Sequence, residues 1–402
     1  MCGISGLVLC RNKIGGVSLP FAMTKMNDAL YRRGPDDQGI WLDGENNIAL
    51  GHRRLAVIDL SEKGKQPMRS ACGRYVIVYN GEIYNYRAIR KELEKEGVSI
   101  DGDSDTAVLL ASIVKWGIKS SIKKAHGMFA ITLWDCDDKV LYLVRDRLGE
   151  KPLYYGYSGN QFLFASELKS LTSFPEWRGE IDRDVLTLQL RHGYIPAPYS
   201  IYKGIFKLLP GSILKLPLED LQYRKELNPG GQSIDKNSLS PQRYWSARSV
   251  AETAVNNKVH YTKEEAVNTL QDLLSGTIKN QMISDVPLGA FLSGGIDSSI
   301  VVALMQSLSI NPLRSFTIGF HEARFNEAKH AKKVAEHIGT DHTEMYVTSK
   351  EAMDVIPGLP DYYDEPFSDP SQIPTYLVSK LAKEQVTVCL SGDGGDELFA
   401  GS

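Results

Sequence analysis

The chain has 402 residues, enough for two or three domains, and 42% of them are hydrophobic, which is ample for packed cores. Its 46 basic and 49 acidic residues give a net charge of −3, without the run of Lys and Arg that a nucleic-acid-binding arm needs. No apolar stretch reaches about 18 residues, and the first residues do not form a signal peptide. We therefore expect a cytoplasmic protein that binds neither membranes nor nucleic acid.

Cysteine usage singles out the second residue. The five cysteines are odd in number, scattered and without a C-x-x-C pair, which disfavours a disulfide framework or a zinc site: Cys2, Cys10, Cys72, Cys136 and Cys389. Removal of Met1 would place a thiol and an α-amine on Cys2. Their reference pKa values are about 8.5 and about 7.7 to 8.0, so the amine can take the thiol proton and return it to a leaving amine. Taken alone, a cysteine at the second position is more often an inert, partly buried residue near a chain end.

The stretch from Cys2 to Val8, Cys-Gly-Ile-Ser-Gly-Leu-Val, resembles the start of the class II glutamine amidotransferases. These N-terminal-nucleophile hydrolases release ammonia from glutamine, and the resemblance implies a four-layer αββα sandwich. The residue patterns by themselves predict mixed α and β structure, with helices near 22–30, 87–95 and 106–116. They also predict a β-hairpin that joins 128–135 to 140–145.

Two arginine-containing motifs follow. The turn Arg33-Gly34-Pro35-Asp36 matches the family, although Arg32 stands where relatives commonly have His. In the strand that starts at Gly51, the resemblance assigns Arg54 to the α-carboxylate of glutamine, because a guanidinium group is the natural partner of a carboxylate. A surface position is the alternative for this arginine. The later segments 146–155 and 164–169 also match the family, and we interpret them as scaffold.

A buried strand over 75–79 leads into Asn80, Gly81 and Glu82. Asn-Gly is also a common hairpin turn, which is the alternative interpretation. The resemblance implies that Asn80 and the Gly81 N–H form an oxyanion hole, which would stabilise the charge on the amide oxygen during attack. It also implies that Gly81 and Glu82 bind the amino-acid part of glutamine. Asp105, at a helix start, could be only a first-turn carboxylate, but the resemblance assigns it to the α-ammonium group.

Composition divides the chain. We predict an amidotransferase domain over 2–215, a linker and insert over 216–261, and a second domain over 262–402. Within the linker, 219–241 is polar and predicts an exposed loop. Thr262-Lys-Glu-Glu265 is a capping box that opens an amphipathic helix. Its predicted inward face is Ala266, Leu270, Leu273, Leu274 and Ile278. The strand-helix alternation that follows predicts a doubly wound parallel sheet, so the fold class is α+β followed by α/β.

A glycine-rich turn links an apolar strand to a helix near residue 295. Gly294 and Gly295 permit close approach of a ligand, and the free N–H groups of the first helical turn make an anion site. The Walker pattern is absent from the sequence. The turn resembles the pyrophosphate loop of the ATP pyrophosphatases, with a chance strand-turn-helix as the alternative. The resemblance implies that ATP contacts Leu292, Ser293, Gly294, Gly295, Asp297, Ser298, Ser299, Ile318, Ser391 and Gly392.

A second glycine-rich turn, 391–397, follows the last predicted strand. Two such loops on one sheet could share a ligand. We predict that Asp297 and Asp396 flank a Mg²⁺ ion, since hard cations take oxygen ligands and usually hold one or two carboxylates; either Asp alone could be a turn residue. The segment 364–371 resembles the family's acidic loop at the synthetase site, and an ordinary Pro-rich connection is the alternative.

Together, and in this order, the motifs resemble those of the glutamine-hydrolysing asparagine synthetases. The resemblance implies that Cys2 releases ammonia from glutamine, that ATP adenylates an acceptor carboxylate, and that ammonia captures the acyl group. The implied ligands are glutamine, ATP, Mg²⁺ and an acceptor that is aspartate in the first instance, and a homodimer is the assembly we expect.

Two departures leave the activity open. Asp393 stands at the acceptor site where one subgroup has Glu, so another carboxylate, such as that of a sugar acid, could be the acceptor. A β-lactam synthetase-like cyclase and a non-enzymatic binding relic are also compatible with the motifs. Relatives continue beyond Ser402, so we also expect this chain to be a fragment.

Overall fold

The computed structural model describes residues 1–9, 17–231, 238–321 and 326–399. Cys10 therefore lies outside the described residues, as do 232–237 of the predicted loop and 400–402 at the end of the chain. The chain divides into two compact units. The first comprises Met1–Lys258 and Tyr363–Phe367, and the second comprises the remaining residues from Val259 onwards.

The first unit contains two six-stranded sheets. Their strands are β1 Gly3–Leu9, β2 Asp37–Asp43, β3 Ile48–Arg54, β4 Met68–Arg69, β5 Tyr75–Ile83, β6 Gly127–Asp135, β7 Val140–Arg145, β8 Tyr154–Ser158, β9 Gln161–Ala165, β10 Ile205–Lys207, β11 Ser212–Pro217 and β12 Gln242–Arg243. The first sheet has the order β10-β8-β9-β1-β3-β2 and the second the order β12-β11-β7-β6-β5-β4. All of these neighbours pair antiparallel.

Eight helices of the first unit are described: α1 Leu19–Asp28, α2 Tyr86–Lys95, α3 Asp105–Trp116, α4 Ile118–Lys124, α5 Leu168–Thr172, α6 Arg183–His192, α7 Leu218–Gln222 and α8 Ala247–Asn256. The helices predicted near 22–30, 87–95 and 106–116 are confirmed as α1, α2 and α3. The predicted hairpin is confirmed as well, since β6 and β7 pair from Ala130 opposite Arg145 to Asp135 opposite Val140.

The cores of the first unit explain its layers. One apolar cluster joins residues of both sheets, such as Val8 and Phe164 from the first and Trp134 from the second. A second cluster joins Leu7 to α1 and α5, on the opposite face of the first sheet. Because successive residues of a strand point to opposite faces, β1 is buried on both sides. The αββα arrangement is confirmed.

The predicted exposed loop over 219–241 is wrong for its apolar residues. Leu221 of α7 and Leu239 are buried in the cluster between the two sheets. The segment is polar in composition, so its composition does not indicate that these leucines are buried. Their burial removes apolar surface from water and stabilises the sandwich.

The second unit is built on a four-stranded parallel sheet of order β15-β14-β13-β16. Its elements are α9 Lys263–Gln281, β13 Leu288–Phe291, α10 Ile296–Ser307, β14 Arg314–Phe320, α11 Ala328–Ile338, β15 Asp341–Val347, α12 Ser349–Val355, α13 Leu359–Tyr362, α14 Gln372–Lys383, β16 Val388–Leu390 and α15 Gly395–Phe399. Helices α10 and α11 pack in one apolar cluster with β13, and α14 packs against β14 in another. The predicted doubly wound sheet is confirmed.

Helix α9 departs from its predicted packing. The capping box is present, with Thr262 Oγ1 accepting from Glu265 N at 3.2 Å. Ile278 is buried, but Leu270 and Leu273 of the predicted inward face are 38% and 64% exposed. Within the described residues, only the last turns of this face pack into the core. There Ile278 belongs to the same apolar cluster as residues of β13 and α10.

Candidate functional site

The amino end of the chain is held by hydrogen bonds on both sides of Cys2. Ile4 N donates to Ser166 Oγ at 2.9 Å, and Ser166 N donates to Ile4 O at 2.8 Å. Arg33 Nε donates to Cys2 O at 2.8 Å, and its Nη1 pairs with Glu167 at 2.8 Å. The backbone of Cys2 is therefore anchored to the end of β9 and to the turn after α1.

The surroundings of Cys2 favour the neutral form of its thiol and of the terminal α-amine. Its Sγ lies 3.6 Å from Leu55 O, and burial raises the pKa of the thiol. The pKa of the Met1 α-amine is lowered to about 5, mainly by burial, and the nearby cations Arg33 and Lys151 act in the same direction. An amine at this end of the chain is therefore unprotonated at neutral pH and able to accept a proton.

The edge of β5 is completed by side chains instead of a strand. Strand β4 pairs with β5 at Val76 and Ile77 only. Beyond it, Tyr79 N donates to Gln66 Oε1 at 2.6 Å, and Ile83 N donates to Asp105 Oδ2 at 2.9 Å. Alternate residues of a strand present their N–H groups to the same side, so the Gly81 N–H lies between these two on the open edge.

Asn80 supplies a second candidate donor. Its side chain is 1% exposed, and within the described residues its Nδ2 has no hydrogen-bond partner. A buried amide without a partner is rare in folded proteins and needs an explanation. Gly81 has to be glycine here, because a Cβ would lie 2.1 Å from Met128 O. Both donors fit the predicted oxyanion hole, and their role stays a prediction.

Two carboxylates border this strand. Asp105 begins α3 behind the cap Ser104, and its Oδ2 also accepts from Tyr79 OH at 2.7 Å. Burial raises the pKa of Asp105, and burial together with the Asp105 charge raises the pKa of Glu82 to about 7. The buried Asp105 and the half-buried Glu82 have like charges when both are ionised, which favours a cation beside them. An ammonium group of a ligand has this charge.

Arg54 is buried, and its guanidinium group holds a loop. It donates to Ser61 O at 3.2 Å and to Asp59 O, both in the backbone that follows β3. Gly64 packs so closely that a Cβ would lie 2.1 Å from Arg54 Nη2. The charge of Arg54 still acts on the Cys2 thiol. Its predicted contact with the glutamine carboxylate stays a prediction.

Three residues around β5 are absent from the sequence-based prediction. His52 Nε2 lies 3.0 Å from Tyr79 O, and burial lowers the pKa of His52 to about 4. Gln66 accepts from Tyr79 N at the edge of β5, and Tyr79 OH donates to Asp105. His52 and Tyr79 lie within or beside the motifs, so proximity was a usable signal, but nothing in the local sequence marks Gln66.

In the second unit, the loop between β13 and α10 is closed by serine hydroxyls. Ser293 Oγ lies 2.9 Å from Ser298 Oγ and accepts from Gly295 N at 3.2 Å. Gly294 has φ 84°, in the left-handed region that favours glycine. Ser299 Oγ donates to Gly295 O at 2.6 Å. The first N–H groups of α10 lie at this turn, and its role as an anion site stays a prediction.

The second glycine-rich loop lies beside the first. Strand β16 is parallel to β13, so both loops leave the same edge of the sheet. A Cβ on Gly392 would lie 2.7 Å from Ser298 N, and one on Gly395 would lie 2.5 Å from Asp297 Oδ2. Two further predicted positions lie within these loops and strands. Asp393 accepts from Ser391 Oγ at 3.0 Å in the second loop, and Ile318 is half-buried in β14.

Asp297 and Asp396 are brought into contact. They share a hydrogen bond, and this bond and the Asp297 charge raise the pKa of Asp396. Within the described residues there is no cluster of three or more His, Cys, Asp or Glu side chains suited to a metal. Two adjacent carboxylates fit Mg²⁺, which usually takes its other ligands from phosphates and water.

No helix in the described part of the chain is long and apolar enough to cross a membrane. Both units match family models. Residues 1–226 match the glutamine amidotransferase domain, and residues 269–402 match asparagine synthase. The fold and the two matches define a protein that combines an amidotransferase with an ATP-using synthase. The chain belongs to the glutamine-hydrolysing asparagine synthetase family.

Relatives of the same kind match the chain end to end. It is 38% identical to a putative asparagine synthetase [glutamine-hydrolyzing] 2 of Methanocaldococcus jannaschii, covering 100% of this chain and 75% of the relative. It is 36% identical to asparagine synthetase [glutamine-hydrolyzing] 1 of Bacillus subtilis, covering 100% of this chain and 59% of that protein. Among solved structures, the B. subtilis glutamine phosphoribosylpyrophosphate amidotransferase aligns over 85% of this chain and 65% of its own, with TM-score 0.41 and 16% identity.

Proposed function

We propose that the first unit hydrolyses glutamine and that the second unit uses ATP to activate aspartate, so that ammonia from glutamine becomes the amide of asparagine. The observation that carries the glutaminase assignment is the buried Asn80 Nδ2, which has no hydrogen-bond partner among the described residues, next to the Gly81 N–H on the edge of β5 that β4 does not cover. The names of the two relatives support the synthetase assignment and the choice of aspartate.

In the glutaminase reaction, the α-amine of Cys2 takes the thiol proton after Met1 is removed. The thiolate attacks the side-chain carbonyl carbon of glutamine, and Asn80 and Gly81 stabilise the oxyanion. The carbon–nitrogen bond breaks, the amine returns its proton to the departing ammonia, and water then hydrolyses the thioester to glutamate. Glu82 and Asp105 hold the α-ammonium of glutamine.

In the synthetase reaction, an aspartate carboxylate oxygen attacks the α-phosphorus of ATP and pyrophosphate leaves. Ammonia then attacks the acyl carbon, and AMP leaves. The N–H groups at the start of α10, with Ser293 and Ser298, bind pyrophosphate oxygens. Asp297 and Asp396 are the residues that would hold Mg²⁺, which neutralises phosphate charge when bound. Asp393 lies beside the acceptor.

The proposal extends to location and assembly. The cytoplasm supplies ATP and keeps a catalytic thiol reduced, so we place the protein there. We also propose a homodimer, which light scattering of the purified protein would test.

Replacing the nucleophile tests the first half of the proposal. We expect Cys2→Ala to abolish glutamate release from glutamine, because thiolate chemistry is lost, while circular dichroism stays unchanged. Cys72→Ala, at an exposed cysteine, is the matched control and should keep full activity. Mass spectrometry should show that Met1 is absent. Glutamate release by Cys2→Ala at the wild-type rate would refute the assignment.

The acceptor is tested by product analysis. In a chain extended to the length of its relatives, we expect asparagine, AMP and pyrophosphate from aspartate, and none of the corresponding products when glutamate or a uronic acid replaces it. Amide formation on the uronic acid alone would instead assign the enzyme to another carboxylate.

A further inference from the structure

The candidate nucleophile and the candidate oxyanion donors lie on different sheets. Cys2 directly precedes β1 in the first sheet, whereas Asn80 and Gly81 are on β5 in the second. Backbone hydrogen bonds fix the register of strands within one sheet, but the apolar packing that joins two sheets is not directional. The spacing between the Cys2 thiol and these donors therefore depends on side chains that bridge the two sheets.

His52 makes such a bridge. It lies on β3 opposite Ile4 of β1, two residues beyond Cys2, and its ring Nε2 lies 3.0 Å from Tyr79 O on β5. A carbonyl oxygen only accepts, so Nε2 carries the ring proton and donates it. Tyr79 O belongs to the peptide group that joins Tyr79 to Asn80. The bond therefore holds the backbone directly before the candidate donors.

Both ends of this hydrogen bond are held in place. His52 is 1% exposed, and its backbone oxygen accepts from Asn27 Nδ2 at 3.3 Å. Asn27, near the end of α1, also accepts from Ser5 Oγ of β1 at 3.3 Å, and both of these residues are fully buried. At the other end, Tyr79 N donates to Gln66 Oε1 at 2.6 Å. A contact between two fixed groups can set a distance, which a contact between mobile groups cannot.

The histidine supplies a single donor at this place. Within the described residues its Nδ1 has no hydrogen-bond partner, although the atom is buried. Burial lowers the pKa of His52 to about 4, so the ring is neutral near pH 7. A buried nitrogen without a partner costs stability that an apolar ring of similar shape would not. Packing alone therefore does not account for a histidine here, whereas a bond to Tyr79 O does.

We propose that His52 is a positioning residue for glutamine hydrolysis, whose bond to Tyr79 O fixes the spacing between Cys2 and the oxyanion donors of β5. It acts through β5 and touches no substrate atom. The inference rests on the proposed function, because the nucleophile and the donors are those assigned there. Since the role needs one N–H donor at one place, a glutamine side chain should replace histidine in part, and phenylalanine should not.

Steady-state kinetics of glutamine hydrolysis test this role. We expect His52→Phe to lower kcat by at least about tenfold and to change KM by less than about twofold, because a displaced oxyanion donor acts on the transition state. His52→Gln keeps an N–H donor and should retain more than about a third of the wild-type kcat. His192→Phe, at an exposed histidine of α6, is the matched control and should behave as the wild type.

An aldehyde analogue of glutamine provides a second readout. Addition of the Cys2 sulfur to the aldehyde carbon gives a tetrahedral hemithioacetal, whose oxygen lies where the oxyanion would. Glutamate, the product, binds without this adduct. We expect the inhibition constant of the aldehyde to rise in His52→Phe by about the factor by which kcat falls, while that of glutamate stays at the wild-type value. Equal weakening of both ligands would show general damage to the site and overturn the inference.

Wild-type kcat in folded His52→Phe would also overturn it, as would a loss in His52→Gln equal to that in His52→Phe. If His52→Phe does not fold, NMR of the wild type with isotope-labelled histidine decides. A proton on Nε2 of His52 at about pH 7 is the expected result, and a proton on Nδ1 would contradict the bond to Tyr79 O. Failure of the proposed function is recognised separately, by wild-type protein that releases no glutamate or by Cys2→Ala protein that still does.

Discussion

At the scale of single residues, the described part of the first unit is marked by buried polar groups without hydrogen-bond partners, such as Asn80 Nδ2. A buried, unpaired amide costs about 1–3 kcal/mol, and a ligand oxygen would offset this cost. We expect Asn80→Ala to lower kcat for glutamine hydrolysis by about a hundredfold or more with little change in KM, because the donor acts on charge that develops in the transition state. Steady-state glutaminase kinetics would measure this. Asn46→Ala, at a half-buried asparagine bonded to Asp43, is the control, and equal kcat in both variants would argue against the oxyanion hole.

We expect Glu82 to make glutamine binding depend on pH. Burial and Asp105 raise the pKa of Glu82 from 4.5 to about 7, and the carboxylate form is the one that binds an ammonium group. We therefore expect KM for glutamine to rise as pH falls through about 7, and Glu82→Gln to flatten this part of the profile. The ligand-free fold has the opposite preference: a carboxyl group with a raised pKa in the folded state makes the fold more stable as pH decreases towards its unfolded-state pKa. A wild-type KM that is constant between about pH 8 and pH 6 would contradict the prediction.

At the scale of elements, the parallel pairing of β13 and β16 brings two glycine-rich loops together. We expect Gly392→Ala to weaken Mg·ATP binding by on the order of tenfold, because the added Cβ would meet Ser298 N at 2.7 Å and separate the loops. Isothermal titration calorimetry would measure the affinity. The matched control is Gly276→Ala in α9, where the Cβ meets open space and the helix should gain about 0.5–1 kcal/mol. Equal ATP affinity in the two variants would count against a shared nucleotide loop.

At the scale of the whole molecule, the two sets of candidate residues belong to different units. We expect Asp297→Asn to weaken Mg·ATP binding, because it removes a carboxylate predicted to face the metal, and to leave glutamine hydrolysis at the wild-type rate. The reciprocal expectation is that Cys2→Ala binds Mg·ATP normally. The two assays should be run on the same preparations, and parallel loss of both activities at unchanged thermal stability would argue that the sites are not separate.

The sequence by itself determined the features that depend on short-range patterns. The capping box at Thr262, the β6–β7 hairpin and the strand-helix alternation of the second unit were all predicted and are present. The order of the motifs was enough to indicate the family. These features are readable because caps, turns and periodicity are set by residues a few positions apart.

Only the tertiary structure decided which groups meet across long separations. Gln66 and Tyr79 are 13 residues apart, His52 and Tyr79 are 27 apart, and Lys151 and Met1 are 150 apart. Such contacts leave no periodic signal in the chain. Burial was also decided there, since Leu221 and Leu239 are covered although their segment is polar, and Leu273 is exposed although its helix is amphipathic. The physical reason is that a face is buried only when another element packs on it, and a local pattern does not specify that element.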